Sequence, residues 1–172
     1  SGNAVEVVDS LGVDRVIFLP DEYLAHHVAG RTRTEIIAWK GHCEVHERFT
    51  ADDIARFRAG HDGLVVIAHP ECPPDVLAVA DFVGSTAQMA AHVAQSRPGK
   101  VLLVTECSMS DNVSAEHPDI EFVRPCNLCP HMKQITLPRI RRALETMTHE
   151  VQVDPAVAVR ARLAVERMLA IR

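Results

Sequence analysis

Short, continuous apolar runs alternate with stretches of helical period along this chain, and that alternation limits its fold more than any other feature. Residues 16–19, 36–39, 64–68 and 101–104 form runs of four to five apolar residues, and 120–123 a run broken by Glu121, with β-branched side chains prominent in most. Runs of that length without polar alternation suit strands buried on both faces of a parallel sheet. A shorter strand is expected over 81–83. Helical patterns fill the intervals at 4–11, 51–59, 75–80, 87–95, 137–147 and 155–169. Thr50 ahead of Ala51-Asp52-Asp53 reads as an N-cap with acids in the first turn, and Asp154-Pro155 repeats the start signal. The fold class expected is α/β, with small parallel sheets in α/β/α three-layer units. Pro70, Pro73 and Pro74 punctuate the middle, and the division expected is into units 1–82 and 83–172.

Composition removes several classes of function. The 172 residues are 47% hydrophobic and 24% charged, which suits a packed globular chain rather than a disordered one. No apolar run approaches the ~20 residues that span a bilayer, and no leader-like segment opens the chain, so no membrane role is expected. A net charge of −5 without a basic patch argues against nucleic acid as partner. Five cysteines, an odd number, suit a reducing cytoplasmic setting in which thiols serve as metal ligands or nucleophiles.

Ligands of open parallel sheets bind outside the carboxyl ends of the strands, and the reactive residues of this sequence gather there. Gly41-His42-Cys43-Glu44-Val45-His46-Glu47 follows the second run, and His69-Pro70-Glu71-Cys72-Pro73 the third. Gly84-Ser85-Thr86 follows the short strand, Thr105-Glu106-Cys107-Ser108 the next, and Cys126-Asn127-Leu128-Cys129-Pro130-His131-Met132 the last. Cys126-x-x-Cys129 suits zinc, an iron–sulfur cluster or a redox dithiol, or simply two buried thiols, with Cys43 the obvious distant partner. His69 and Glu71 suit proton transfer near neutral pH, or a solvated loop. Ser85-Thr86 before a helix suits an anion site or a plain N-cap. His42 and His46 flank Cys43. His26 and His27 read as surface or partly buried residues of a helical stretch, and His61, His92, His117 and His149 read as structural. Arg139, Arg141 and Arg142 read as a solvated helix face.

In order, these segments resemble the quinolinate synthase family. The resemblance rests on Ser1-Gly2-Asn3-Ala4, Phe18-Leu19-Pro20-Asp21, the Gly41–Glu47 loop, Ala68-His69-Pro70-Glu71-Cys72, Asp81-Phe82-Val83-Gly84-Ser85-Thr86, Thr105-Glu106 and Cys129-Pro130-His131-Met132-Lys133. It implies three α/β/α units in pseudo-threefold arrangement, two of them in this chain. It also implies a [4Fe-4S] cluster held by one cysteine from each unit: Cys43, Cys129, and a third in an N-terminal domain that this chain lacks. Cys126 falls outside the family's ligand position. The implied reaction is a transferase step of NAD biosynthesis, condensing iminoaspartate, supplied by L-aspartate oxidase, with dihydroxyacetone phosphate. Glu71 and His69 would be catalytic. Ser1, Asn3, His69, Glu71, Ser85 and Thr86 would bind substrate. By this reading the chain is a partial enzyme. The competing expectations are a zinc-binding structural or interaction module using Cys43, Cys126, Cys129 and a histidine such as His46, and a non-catalytic α/β fragment.

Overall fold

A computed structural model of the chain describes residues 1–171. The chain separates into two compact units, Ser1–Leu128 and Cys129–Arg172.

The first unit is α/β throughout. Its strands are β1 (Arg15–Phe18), β2 (Glu35–Ala38), β3 (Leu64–Ala68), β4 (Phe82–Val83), β5 (Lys100–Val104) and β6 (Glu121–Val123). Its α-helices are α1 (Ala4–Ser10), α2 (Glu22–Ala29), α3 (Ala51–Gly60), α4 (Pro74–Val79), α5 (Thr86–Ser96) and α6 (Ser108–Glu116). All strand pairs are parallel. They form a two-stranded sheet, β1-β2, and a four-stranded sheet in the order β4-β3-β5-β6.

The helices take their faces from strand order. From β3 the chain steps one way to β4, then back across β3 to β5 and onward to β6. Right-handed crossovers therefore put α4 on one face and both α5 and α6 on the other. The core agrees: Ile67, Val101 and Leu103 of the sheet pack with Met89 and Val93 of α5 and Val113 of α6. The alternate residues Val66, Ala68, Leu102 and Val104 point the opposite way and are equally buried. On that side α3 contacts both β3 and α4. Three layers result.

Around β1-β2 the core is smaller. Val8 of α1 with Leu24 and Val28 of α2 packs on Val16, Phe18 and Ile36. The other face of that sheet is open, with Ile17 72% and Trp39 60% exposed. Burial on both faces, expected of every apolar run, thus holds for β3 and β5 and fails for β1 and β2.

Two helices lie outside the intervals of clear helical period. α6 has no clear helical pattern in the sequence: Ser108, Ser110, Asp111 and Asn112 dilute it, and its apolar contacts with the core come from Met109 and Val113, one turn apart. α2 buries Leu24, Ala25 and Val28, and its N-cap is Asp21, whose carboxylate accepts the Leu24 N–H at 2.7 Å. The boundary expected at 82/83 falls inside β4, which pairs with β3 from the other side of that boundary. Parallel pairing across 64–123 carries the chain straight through the proline-rich loop.

In the second unit, α7 (Leu137–Thr146) and α8 (Pro155–Ala170) begin at Thr136 and Asp154, whose side chains accept first-turn N–H groups. Among the described residues no helix is long and apolar enough to cross a membrane.

Candidate active site

In doubly wound sheets the crevice opens where neighbouring strands send their connections to opposite faces. In this chain that place lies between β3 and β5. The β3 loop leaves toward α4 and delivers His69 and Glu71, while the β5 loop leaves toward α6 and delivers Thr105 and Glu106. The loop after β2 brings Cys43 and His46 to the same point.

His46 is the hub. The residue is 7% exposed. Nε2 lies 2.9 Å from Thr105 Oγ1, Nδ1 lies 3.2 Å from Glu71 Oε2, and the ring stacks on His69 with centroids 4.6 Å apart and planes 10° from parallel. The buried Nδ1 stands directly against that carboxylate. His69 Nδ1 accepts the Glu71 backbone N–H at 3.3 Å, and its Nε2 lies 3.3 Å from Ser1 Oγ. With Nδ1 an acceptor, the proton of neutral His69 belongs on Nε2, directed at the position Ser1 occupies.

The electrostatics divide the roles. Burial, reinforced by the neighbouring His46, drops His69 from the ordinary 6.5 to about 4, so it is neutral at pH 7. The His46 ring against its carboxylate lowers Glu71, which is ionised. A neutral donor and an ionised acceptor therefore stand side by side at one mouth.

Cys43 is held from behind. Asp21, 4% exposed, accepts the Cys43 N–H on Oδ2 at 3.0 Å while Oδ1 caps α2. Burial raises the Asp21 carboxyl, opposed by the Leu24 N–H. Glycine is required two residues earlier, because a Cβ on Gly41 would sit 2.6 Å from the Pro20 carbonyl oxygen. One ligand atom each from Cys43, His46 and Glu71 lies within 4.8 Å of the others.

Residues 1–170 match the family model described as quinolinate synthetase A protein. The chain belongs to that family. It is 65% identical over 171 residues to "Quinolinate synthase 2" of Mesorhizobium japonicum, covering 99% of this chain and 53% of that protein. It is 66% identical to "Quinolinate synthase" of Agrobacterium fabrum and 61% to that of Xylella fastidiosa, each over 99% of this chain and 50% of the relative. The chain spans about half the length of these relatives.

Within the first unit the structure gathers His69, Glu71, Cys43 and Ser1 around one point. Ser85 caps α5 in a reciprocal box, accepting the Gln88 N–H while its own N–H donates to Gln88 Oε1 at 2.8 Å. A Cβ on Gly2 would come within 3.3 Å of Ser85 Oγ, so the Ser1-Gly2 segment runs beside that cap. A cavity of about 200 Å³ opens there, lined by Ser1, Gly2, Pro70, Gly84 and Ser85 among others. Thr86 is exposed at the first helical position, and Asn3 precedes α1 without a side-chain capping bond. In the second unit, Cys129 Sγ accepts the Met132 N–H at 3.5 Å, a bond that suits a thiolate ligand.

His46 and Thr105 are less conspicuous in the sequence than in the fold. The signal for His46 is its spacing of three from Cys43, which places both on one side of a short turn. Glu106 accepts the Ser108 N–H at 2.8 Å at the start of α6. Cys72 is buried, its thiol donating to the Val104 carbonyl at 3.4 Å, and burial raises its pKa. Burial, and then the adjoining Cys126 thiol, raise Cys107 as well.

Proposed function

We propose that this chain carries most of the active site of a quinolinate synthase of NAD biosynthesis. That enzyme condenses iminoaspartate with dihydroxyacetone phosphate and releases quinolinate, phosphate and two waters. The observation that carries this reading is the convergence of His46, His69 and Glu71 at the β3/β5 mouth in a chain of this family.

Glu71, ionised and half-buried, is the base: its Oε2 takes a proton from carbon next to the carbonyl and returns one to a departing hydroxyl. His46 fixes the Glu71 carboxylate, and Thr105 fixes His46. His69, neutral, donates its Nε2–H to a substrate carboxylate or carbonyl oxygen. Ser1 and Asn3 bind anionic groups of the substrate beside it. Ser85 and Thr86, at the start of α5, receive the phosphate or a carboxylate with the free N–H groups of the first turn. Cys43 and Cys129 would hold a [4Fe-4S] cluster together with a third thiolate from outside this chain, and the group would supply Lewis acidity toward a substrate oxygen.

Glu71→Gln in a polypeptide of the relatives' full length is the test. Turnover should fall about 10²–10⁴-fold, the usual worth of a positioned acid–base group, while iron and sulfide content stay at the parent level. Parent-level turnover would refute the assignment of Glu71.

A further inference from the structure

We propose that Cys107 and Cys126 form an oxidisable dithiol, which a hydroperoxide closes to a disulfide within the first unit. Neither thiol has a place in the synthase reading, and the proposal stands without it.

The backbone brings the two residues together. β5 and β6 are parallel neighbours, with Leu102 opposite Val123. Cys107 lies three residues beyond the end of β5, and Cys126 three beyond the end of β6. The two segments leave the sheet side by side and stay together, because the Cys107 N–H donates to the Asn127 carbonyl at 2.9 Å. Arg124 adds a second tie: its guanidinium lies 2.7 Å from Asp111 Oδ1 and donates to Ser114 Oγ at 3.3 Å, both on α6. At Cys126 the backbone turns through the left-handed region, with φ 55°, uncommon for a residue with a Cβ. The thiol and the backbone N–H of Cys126 both adjoin the Cys107 sulfur. A disulfide needs Cα atoms about 4.4–6.8 Å apart, a range that includes the ~4.8 Å between neighbouring strands.

The surroundings set the order of reaction. Cys126 is exposed, whereas Cys107 is 8% exposed. Burial keeps the proton on Cys107, so Cys126 meets the oxidant first. Its thiolate attacks one peroxide oxygen, the O–O bond breaks, and water or an alcohol leaves. Cys126 is then a sulfenic acid. The Cys107 sulfur attacks the Cys126 sulfur, the S–S bond forms, the S–O bond breaks, and hydroxide departs with the Cys107 proton as water. The two thiols lose two electrons and the peroxide gains them. The new bond ties the start of α6 to the segment that leads to Cys129. The remaining thiols are placed differently: Cys72 is buried against the Val104 carbonyl, and Cys129 belongs to the second unit.

The test is treatment of this chain, reduced and metal-free, with one equivalent of hydrogen peroxide. Alkylation of the surviving thiols and chymotryptic mass mapping without reductant follow, cleavage after Leu128 separating Cys126 from Cys129. Two of the five thiols should be lost, a Cys107–Cys126 cross-link should appear, and dithiothreitol should restore both thiols. Cys129→Ser should give the same cross-link. Cys107→Ser should leave Cys126 as a sulfenic acid that dimedone traps, and Cys126→Ser should form no disulfide. Circular dichroism identifies variants that fail to fold, and the map of the unsubstituted chain needs none of them. A Cys126–Cys129 or Cys43–Cys72 cross-link in place of this pair would overturn the proposal. So would survival of all the thiols, or oxidation of Cys126 beyond the sulfenic acid while Cys107 stays a free thiol.

Discussion

The two parallel sheets are written in nearly the same residues and used differently. In the four-stranded sheet, Val66, Ile67, Leu102 and Leu103 are buried on opposite faces, so His69 and Thr105 leave from strand ends that cannot shift without disturbing two layers. In β1-β2, Val16 and Ile36 face the helices while Ile17 and Ile37 face outward. Cys43 emerges from that one-sided sheet, and its position is secured by Asp21 and the Gly41–Pro20 approach instead of by the sheet core. Cys43 is thus held by a few hydrogen bonds, while His69 and Thr105 stand at the ends of strands packed on both faces.

The largest expected effect is in the core of the doubly covered sheet. Leu103→Ala should cost about 2–5 kcal/mol, because its neighbours on α5 and α6 cannot collapse into the void; urea denaturation measures it. A cost near zero would erase the contrast between the sheets.

Next comes the pH dependence of the platform. His69 protonates at about 4 in the fold against the ordinary 6.5, so as pH falls the unfolded chain takes the proton first. Stability is therefore full above pH ~7 and drops as pH falls from about 6.5 toward about 4, by at most on the order of 3 kcal/mol. The lowered Glu71 acts in the same sense below its ordinary 4.5. His69→Gln should flatten the slope between pH 6.5 and 4 in denaturation series; an unchanged slope would show that buried His69 is not its origin.

How the sequence announces these regions follows the same division. Where apolar residues run unbroken, as over Leu64–Ala68, the strand and the polar loop at its end are both legible, and with them His69 and Glu71. The run 36–39 is equally legible as a strand, yet nothing local tells that Ile37 and Trp39 meet no covering layer, because burial is decided by what packs on top. α6 is hidden by Ser, Asp and Asn, residues that compete with helix formation in short stretches; tertiary contacts of Met109 and Val113 override that preference. His46 looks like a companion of Cys43, and its tie to Thr105, 59 positions away in sequence, exists only once β3 and β5 are paired.

Two smaller effects sharpen the comparison on the one-sided sheet. Asp21→Ala should cost about 1 kcal/mol through the lost α2 cap and should speed alkylation of the Cys43 thiol, while Asp21→Asn retains the cap and gives back most of that stability. Thermal melts and iodoacetamide labelling report the two parts separately. Ile17→Thr, on the open face, should change the stability of this chain by less than about 0.5 kcal/mol; a loss like that of Leu103→Ala would mean the face is covered.

The claim on which the rest depends is that the Cys43 thiol and the Glu71 carboxylate serve one centre. Iron content after anaerobic reconstitution of a full-length polypeptide bearing this sequence tests it most directly, with Cys43→Ala set beside Cys72→Ala, whose thiol is buried against the Val104 carbonyl. Cys43→Ala should lose the cluster iron and Cys72→Ala should keep it. Equal iron in Cys43→Ala and the parent would contradict it.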